Sequence, residues 1–457
     1  SVAVLENQQV GCGTTGFTTA KVTSSHSLIY ADLKRAYGDE KARLYGQAQE
    51  AAIAFIERTS GSERLECEFR RLDNYLYTED PEQLEKLREE AEAAASLGLP
   101  ASFTTEAPLP FPTLGAVRFA GQAQFHPRKY LLPLAAGIPG GGSHLFEHSR
   151  VDNIDEGEPC TLRTANGGEV RARDVIVATH FPILDRGGYF ARQSPRREYV
   201  VAAPVPGEAP DAMFVEAGGG GHTLRYADAP EGKLAIIGGE SHKTGNASDT
   251  VERYLRLEAW GREKLGSSAG AYYWSTQDND PFDRLPYIGK LHPLSKHLYA
   301  ATGFGGWGMT NGTVAGMLLS DLILGRENSW AAVFKPERLR LDVAGKEMLR
   351  EGAEDAKHLV ADRLKAEPAS AVAALQPGEG IVVQPGLRPT AVSRSQDGQL
   401  QAVSAVCTHM GCIVSWNKAE RSWDCPCHGS RFAPDGTVLH GPASRPLGKA
   451  ELPGEAQ

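Results

Sequence analysis

Near its C-terminus the chain reads CTHMGC (407–412), and after a short interval CPCHGS (425–430). Four of its seven cysteines lie in these hexapeptides, each hexapeptide with its own histidine. Ligand-type residues fall as Cys407-x-His409 and Cys425-x-x-His428, so two short loops each offer one thiolate and one imidazole. Two metal centres accept that set. Zinc takes two Cys and two His in a tetrahedron. A two-iron, two-sulfide cluster takes two Cys on one iron and two His on the other. Zinc fingers usually keep their cysteines on one arm and their histidines on another. Here each arm is mixed, which fits a cluster bridged across two loops. Cys12, Cys67 and Cys160 are scattered and read as packing thiols.

The two boxes resemble those of Rieske proteins of the cytochrome bc type. The resemblance implies a [2Fe–2S] cluster with Cys407 and Cys425 on the inner iron and His409 and His428 on the outer, solvent-facing iron. It also implies a Cys412–Cys427 disulfide tying the loops, a hydrogen bond from Ser430 to a bridging sulfide, and a shielding third loop at Gly441, Pro442 and Ala443. Phe432 stands where relatives of highest potential often carry a tyrosine bonded to a ligand sulfur. Loss of that donor places the expected potential in the lower part of the Rieske range. Segments 381–384, 401–406, 413–416 and 437–440 carry β-formers between Gly, Pro and Asp turns. They predict a small antiparallel all-β domain over 371–457.

A chain of 457 residues exceeds one core, so further domains must precede this one. With 41% apolar and 23% charged residues it has an ordinary globular composition. A formal net charge of −9 argues against nucleic acid as a partner. No apolar run is long enough for a membrane span, and no signal-peptide pattern opens the chain, so the expected location is cytoplasmic.

Residues 2–5 read as a short buried strand ending in Glu6, the place where a dinucleotide fold binds ribose hydroxyls. Residues 173–182 are an apolar strand running into a small-residue turn. Residues 297–325 are an apolar strand, a Gly-rich turn and a helix with apolar residues at three- and four-residue spacings. A Gly-rich turn entering a helix presents backbone amides to an oxygen-rich ligand.

Together these segments resemble the D-amino-acid oxidase and sarcosine oxidase superfamily of flavoproteins, over about 1–340. The resemblance implies an α/β, Rossmann-like FAD-binding domain with an antiparallel β substrate subdomain at about 198–290. A helical linker at 341–370 then leads to the Rieske domain. FAD contacts are expected from Glu6, Gly13, Thr14, Thr15, Ala178, Thr179, Gly303, Gly305, Gly306, Trp307, Gly308, Met309 and Thr310. Candidate catalytic residues are Lys21, Arg225 and Trp307. Several amino-acid-oxidising relatives grip the substrate carboxylate with a basic residue where this chain has Thr310, which argues against a simple amino acid. The chain opens at what matches the second strand of such a fold, with no G-x-G-x-x-G turn ahead of it. The expectation is an N-terminal fragment that holds FAD weakly or not at all when expressed alone.

Residues 32–59 and 81–99 have helical periodicity, and their charges read as a solvated face. Residues 65–79 read as strands, and 342–366 as an amphipathic bridge. His292 and His297 are spaced like ligands of a mononuclear iron, but Gly289 occupies the place of the required carboxylate, so both read as turn residues. The function expected is an FAD-dependent oxidoreductase with an iron–sulfur centre. It would pass electrons between a small amine or amino-acid-like substrate and the cluster, and onward to or from a one-electron partner protein or quinone. The alternative is an electron-transfer module whose front domain is a non-catalytic or reductase-docking scaffold.

Overall fold

The computed structural model describes residues 1–218, 221–230, 232–360, 366–384 and 388–452. The front body is α/β. Its first strand, Ala3–Leu5, pairs in parallel with His144–Phe146. A second small sheet joins Val175–Val177, Leu298–Thr302 and Tyr287–Lys290, the first two in parallel. Three helices, Tyr30–Ser62, Pro81–Ser96 and Gly308–Ile323, supply much of the largest apolar core, which includes Tyr45, Leu87, Val314 and Leu318.

The helix starts follow local chemistry. Asp80 accepts the Glu82 N–H at 2.9 Å ahead of Pro81 in the first turn, a side-chain N-cap with proline where the missing donor costs nothing. The Tyr30–Ser62 helix begins with no cap of its own. The Glu90 carboxylate, from the neighbouring helix, accepts the N–H groups of Ile29, Tyr30 and Ala31 at 3.0, 2.8 and 2.9 Å. Those donors have no partner within their helix, and the positive end of the helix dipole favours an anion there. Glu90 is fully buried, so the expectation that the charges of 81–99 form a solvated face fails at this residue.

The substrate sheet also departs from expectation. It has nine strands, in the order Tyr272–Pro281, Gln193–Val205, Gly232–Lys243, Thr223–Ala229, Ala212–Glu216, Arg70–Thr78, Gly115–Gln124 and Lys21–Val22, with Ala101–Thr104 beside Gly115–Gln124. Strands from 21–124 therefore belong to it, not only those of 198–290. The join is the parallel pairing of Ala212–Glu216 with Arg70–Thr78, a long-range contact with no local signal. Helix Thr250–Leu265 packs Tyr254 and Leu257 over Tyr199, Phe214 and Ile237 of the sheet, and ends at left-handed Gly266 (φ 62°).

The bridging helix runs Leu341–Val360; residues 361–365 of the expected 342–366 segment lie outside the described residues. The C-terminal domain has two antiparallel sheets. One is Gly380–Val383, Thr390–Arg394 and Leu400–Ser404. The other is Ser415–Asn417, Ser422–Asp424, Arg431–Phe432 and Val438–His440. The core of this domain includes Trp423, Phe432 and the four clustered cysteines. Burying a ring such as Phe432 contributes about 2 kcal/mol. No helix among the described residues is long and apolar enough to cross a membrane.

Candidate redox centres

The two hexapeptides form facing loops. Cys412 and Cys427 are joined in a disulfide spanning 15 positions. The Sγ atoms of Cys412, Cys425 and Cys427 lie within 4.8 Å of one another, but the disulfide withdraws two of them as ligands. That leaves Cys407 and Cys425, both buried and free. Backbone N–H groups of His409 and Met410 point at the Cys407 sulfur, and those of Cys427 and His428 at Cys425. The hydrogen bond from Cys425 leads the causes that bring the Cys407 thiol down to about 7; burial opposes it, and the two amides and Ser430 assist. The same bond, with burial, pushes Cys425 up. The amides and Ser430 favour a thiolate in this pair, as suits a site that gathers positive metal charge.

The His409 and His428 rings lie 5.0 Å apart between centroids. Burial lowers them to about 4 and about 3, His428 with help from His409 and Lys243. Both are neutral at pH 7, as ligation requires. The His428 Nδ1 is buried with no hydrogen-bond partner among the described residues. Ser430 Oγ accepts the Ala443 N–H at 3.0 Å, which leaves its own proton for a sulfur acceptor. The two thiol sulfurs, the backbone donors around them and the unpartnered imidazole nitrogen fit a Rieske cluster.

Phe432 is fully buried against this site. Phe432→Tyr is expected to raise the cluster midpoint, because a new donor to sulfur stabilises the more negative reduced form. An EPR-monitored redox titration checks it; an unchanged or lowered midpoint contradicts it.

The expected solvent exposure of the imidazole edge fails at His428, while His409 keeps partial exposure. His428 is only 4% exposed. The Phe181 ring sits 6.4 Å from both His409 and His428, and Phe190 sits 5.8 Å from His428. Both phenylalanines belong to the front body, so the body covers the His428 side of the edge that sequence reading left to solvent. Further contacts fix this docking. Gln277 Nε2 donates to Gly429 O at 2.9 Å, Ser415 Oγ to Gly245 O at 2.6 Å, and Tyr254 OH to Glu420 at 2.8 Å. Arg197 pairs with Glu420 at 3.2 Å.

A polar chain crosses the same boundary. The Gly306 N–H donates to Asp278 Oδ2 at 2.7 Å, and Asp278 Oδ1 lies 3.2 Å from His180 Nε2. His180 Nδ1 then meets His440 Nε2 at 3.0 Å and Asn279 Nδ2 at 3.2 Å. The pattern is satisfied when His180 carries its proton on Nε2 and accepts at Nδ1. Burial acts to raise Asp278, but the bonds from His180 and from the Asn279 and Gly306 amides outweigh it and hold the carboxyl below its ordinary range. His180 has φ 66°, a strained conformation for a residue with a Cβ. It follows directly on Ala178 and Thr179, which end the Val175–Val177 strand, and it precedes Phe181.

The expected flavin site assembles in part. Glu6 ends the first strand, and its Oε1 accepts the Gln8 N–H at 2.9 Å. Gly13 precedes the short helix Thr14–Phe17, which Thr14 and Thr15 open, and Thr14 Oγ1 reaches Gln277 O at 3.4 Å. Gly303, Gly305 and Gly306 have φ of 73°, 59° and 86°, a turn closed to most other residues. Trp307 caps the Gly308–Ile323 helix and stacks on His26 at 4.8 Å. Met309 follows in the first helical turn. Thr310 Oγ1 is buried at 3.1 Å from His26 Nε2, so its side chain is already engaged within the body.

Arg225 donates from Nε to Thr19 O, so it anchors the loop that carries Thr14 and Thr15. Burial lowers it to about 10. Lys21 is buried and its Nζ has no hydrogen-bond partner among the described residues. Burial, then Arg225, brings it down to about 7, with Glu198 opposing. Arg196 pairs with Asp280 at 3.0 Å beside the turn, where a Cβ on Gly305 would sit 3.6 Å from Asp280 and one on Gly306 3.8 Å from Arg196. Burial raises Glu198 and Asp280, with Arg196 working against it in each. A Gly-rich turn at a 16-residue helix start, an acid closing the first strand and an unpartnered buried cation fit FAD. Sequence reading passed over Arg196, Glu198, Asp278, Asp280, His180 and His440; only their folding onto one place marks them. His292 and His297 are ordinary: the first accepts the Leu294 N–H, and the second pairs with Asp174 and Glu158.

The chain matches known families in two parts. Residues 1–322 match the FAD dependent oxidoreductase family, and residues 366–451 match the Rieske [2Fe-2S] domain. The chain is 37% identical to the Rieske 2Fe-2S iron-sulfur protein YhfW of Bacillus subtilis, over 99% of this chain and 89% of that protein. Its C-terminal part is 45% identical, over 84 residues, to the cytochrome b6-f complex iron-sulfur subunit 1 of Synechocystis, covering 18% of this chain and 47% of that subunit. In fold it is similar to glycine oxidase from Geobacillus kaustophilus, with TM-score 0.60 and 18% identity over 74% of this chain and 92% of that one.

Proposed function

This chain belongs to the FAD dependent oxidoreductase family and carries a C-terminal Rieske domain, and from that premise we propose that it oxidises a small amine or amino-acid-like substrate and relays the electrons to its own cluster. When bound, FAD takes up a hydride and the [2Fe–2S] centre passes electrons singly. The observation that carries the reading is the covered imidazole edge. His428 faces Phe181 and Phe190 of the body, one residue from the His180–Asp278 bond that leads to the Gly-rich turn.

The chain's own residues have distinct tasks in this reading. Glu6 and the 303–308 turn hold the nucleotide, and Arg225 positions the loop across it. Lys21, close to neutrality, holds or releases a proton beside Glu198. Trp307, stacked on His26, holds the start of the helix that follows the turn. Arg196 and Asp280 compensate each other, leaving Glu198 as the acid that attracts a cationic amine. Cys407, His409, Cys425 and His428 hold the cluster, and Ser430 donates to sulfur. The onward partner is a one-electron acceptor or donor protein or a quinone, in a cytoplasmic setting.

The test mixes holoprotein with amines and amino acids without oxygen. Bleaching of the flavin band followed by the reduced-cluster EPR signal supports the reading. Cluster reduction only after addition of a separate reductase overturns it and favours the electron-transfer module.

A further inference from the structure

The bridging helix Leu341–Val360 brings acids to the cluster site from outside both domains' cores. Lys243, at the end of its strand, pairs with Glu351 at 2.5 Å, Asp355 at 3.2 Å and Glu354 at 3.6 Å. Lys243 and Glu351 are 12% and 10% exposed. The Asp355 carboxylate is shared: Oδ1 faces Lys243, and Oδ2 lies 3.7 Å from His428 Nε2. That second distance is too long for a hydrogen bond, so the influence runs through space. His428 is almost wholly buried and Asp355 is 24% exposed, so salt and water screen the pair weakly.

Arg350 pairs with Glu351 at 3.3 Å and with Glu347 at 2.7 Å; even so, the four carboxylates outnumber the two cations, Lys243 and Arg350, and leave a net negative charge beside an imidazole of the outer iron. Burial raises Asp355, Lys243 opposes this, and Glu351 adds to it. Reduction adds one electron to the cluster. A fixed negative charge at the imidazole edge disfavours the more negative state, and a carboxylate facing the far nitrogen also orients the ring and strengthens it as a ligand.

We propose that Asp355, held by Lys243, is a positioning and tuning residue for the cluster, by which the bridging helix sets the midpoint below that of the same cluster without it. This rests on the Rieske site and not on the substrate reading. It makes the connector between the domains part of the redox apparatus. The redox step it acts on is a single-electron reduction of the cluster with no bond made or broken in the protein.

The experiment titrates the cluster of the holoprotein by EPR with small mediators at pH 7, so neither substrate nor flavin turnover enters. Asp355→Asn is expected to raise the midpoint so that the oxidised-to-reduced ratio at fixed potential falls about threefold, or about 28 mV for a one-electron couple. Lys243→Gln is expected to lower the midpoint by a similar amount. Asp355→Glu, which keeps the charge, is expected to stay near the parent value and so separates charge from loss of folding. An Asp355→Asn midpoint that is unchanged or lower, or a Lys243→Gln midpoint that rises, overturns the proposal. Absence of substrate oxidation would defeat the substrate reading and leave these titrations standing.

Discussion

Cys425→Ser is expected to abolish the Rieske EPR signal and all electron transfer beyond the flavin. The residue is buried and faces Cys407 and the backbone amides of its own loop. Serine keeps the shape but lacks a thiolate, which soft iron centres require. The remaining thiol and two neutral imidazoles cannot balance the cluster's charge. Cys412 and Cys427 cannot substitute, because each is committed to the disulfide. The body keeps its own cores, so flavin bleaching by substrate should persist. Iron analysis and EPR of the purified variant check the first half, and anaerobic absorbance the second. A full cluster signal would remove Cys425 from the ligand set.

Gly245→Val is the second large effect, and it acts without touching a cofactor ligand. Gly245 lies on the body with φ 80°. A Cβ there would stand 2.6 Å from the Pro426 nitrogen and 2.8 Å from its Cα. Those are backbone atoms of the second metal loop and cannot rotate aside. The residue must shift or the Rieske domain must lift, breaking the Ser415 bond to Gly245 O and opening the Phe181 and Phe190 contacts. Flavin-to-cluster transfer is expected to slow clearly, since electron transfer falls off exponentially with the separation of the two centres and a lifted domain lengthens that separation. Cluster reduction by dithionite should be unchanged. Equal slowing of both would mean that the cluster itself is damaged; unchanged internal transfer would mean that the docked arrangement is not the working one.

The parts legible in the sequence were those with local grammar. The disulfide pair stands in two hexapeptides and was named through their resemblance to Rieske proteins; the same resemblance named the expected cluster ligands and Ser430, which the fold brings to the same two loops. The long helices and the 303–308 turn follow from periodicity and glycine. What was not legible depends on contacts between distant segments. Glu90 looks like any surface glutamate until its helix is laid against residues 29–31. The parallel join of Ala212–Glu216 to Arg70–Thr78 carries no turn signal. His180 and His440 are 260 positions apart and carry no motif. The exposed histidine edge was carried over from the Rieske resemblance; here Phe181 and Phe190 cover its His428 side, and nothing in CTHMGC or CPCHGS records it. Asp355 was read as one charge on an amphipathic bridge, and only the docked fold brings it to His428.

The central claim is transfer within one chain across the Phe181 and His180 boundary. The most direct measurement follows cluster reduction by freeze-quench EPR after anaerobic reduction of the flavin, at protein concentrations a decade apart. The account predicts one rate constant at both concentrations. A rate that rises in proportion to concentration would contradict it, because the electrons would then be passing between molecules.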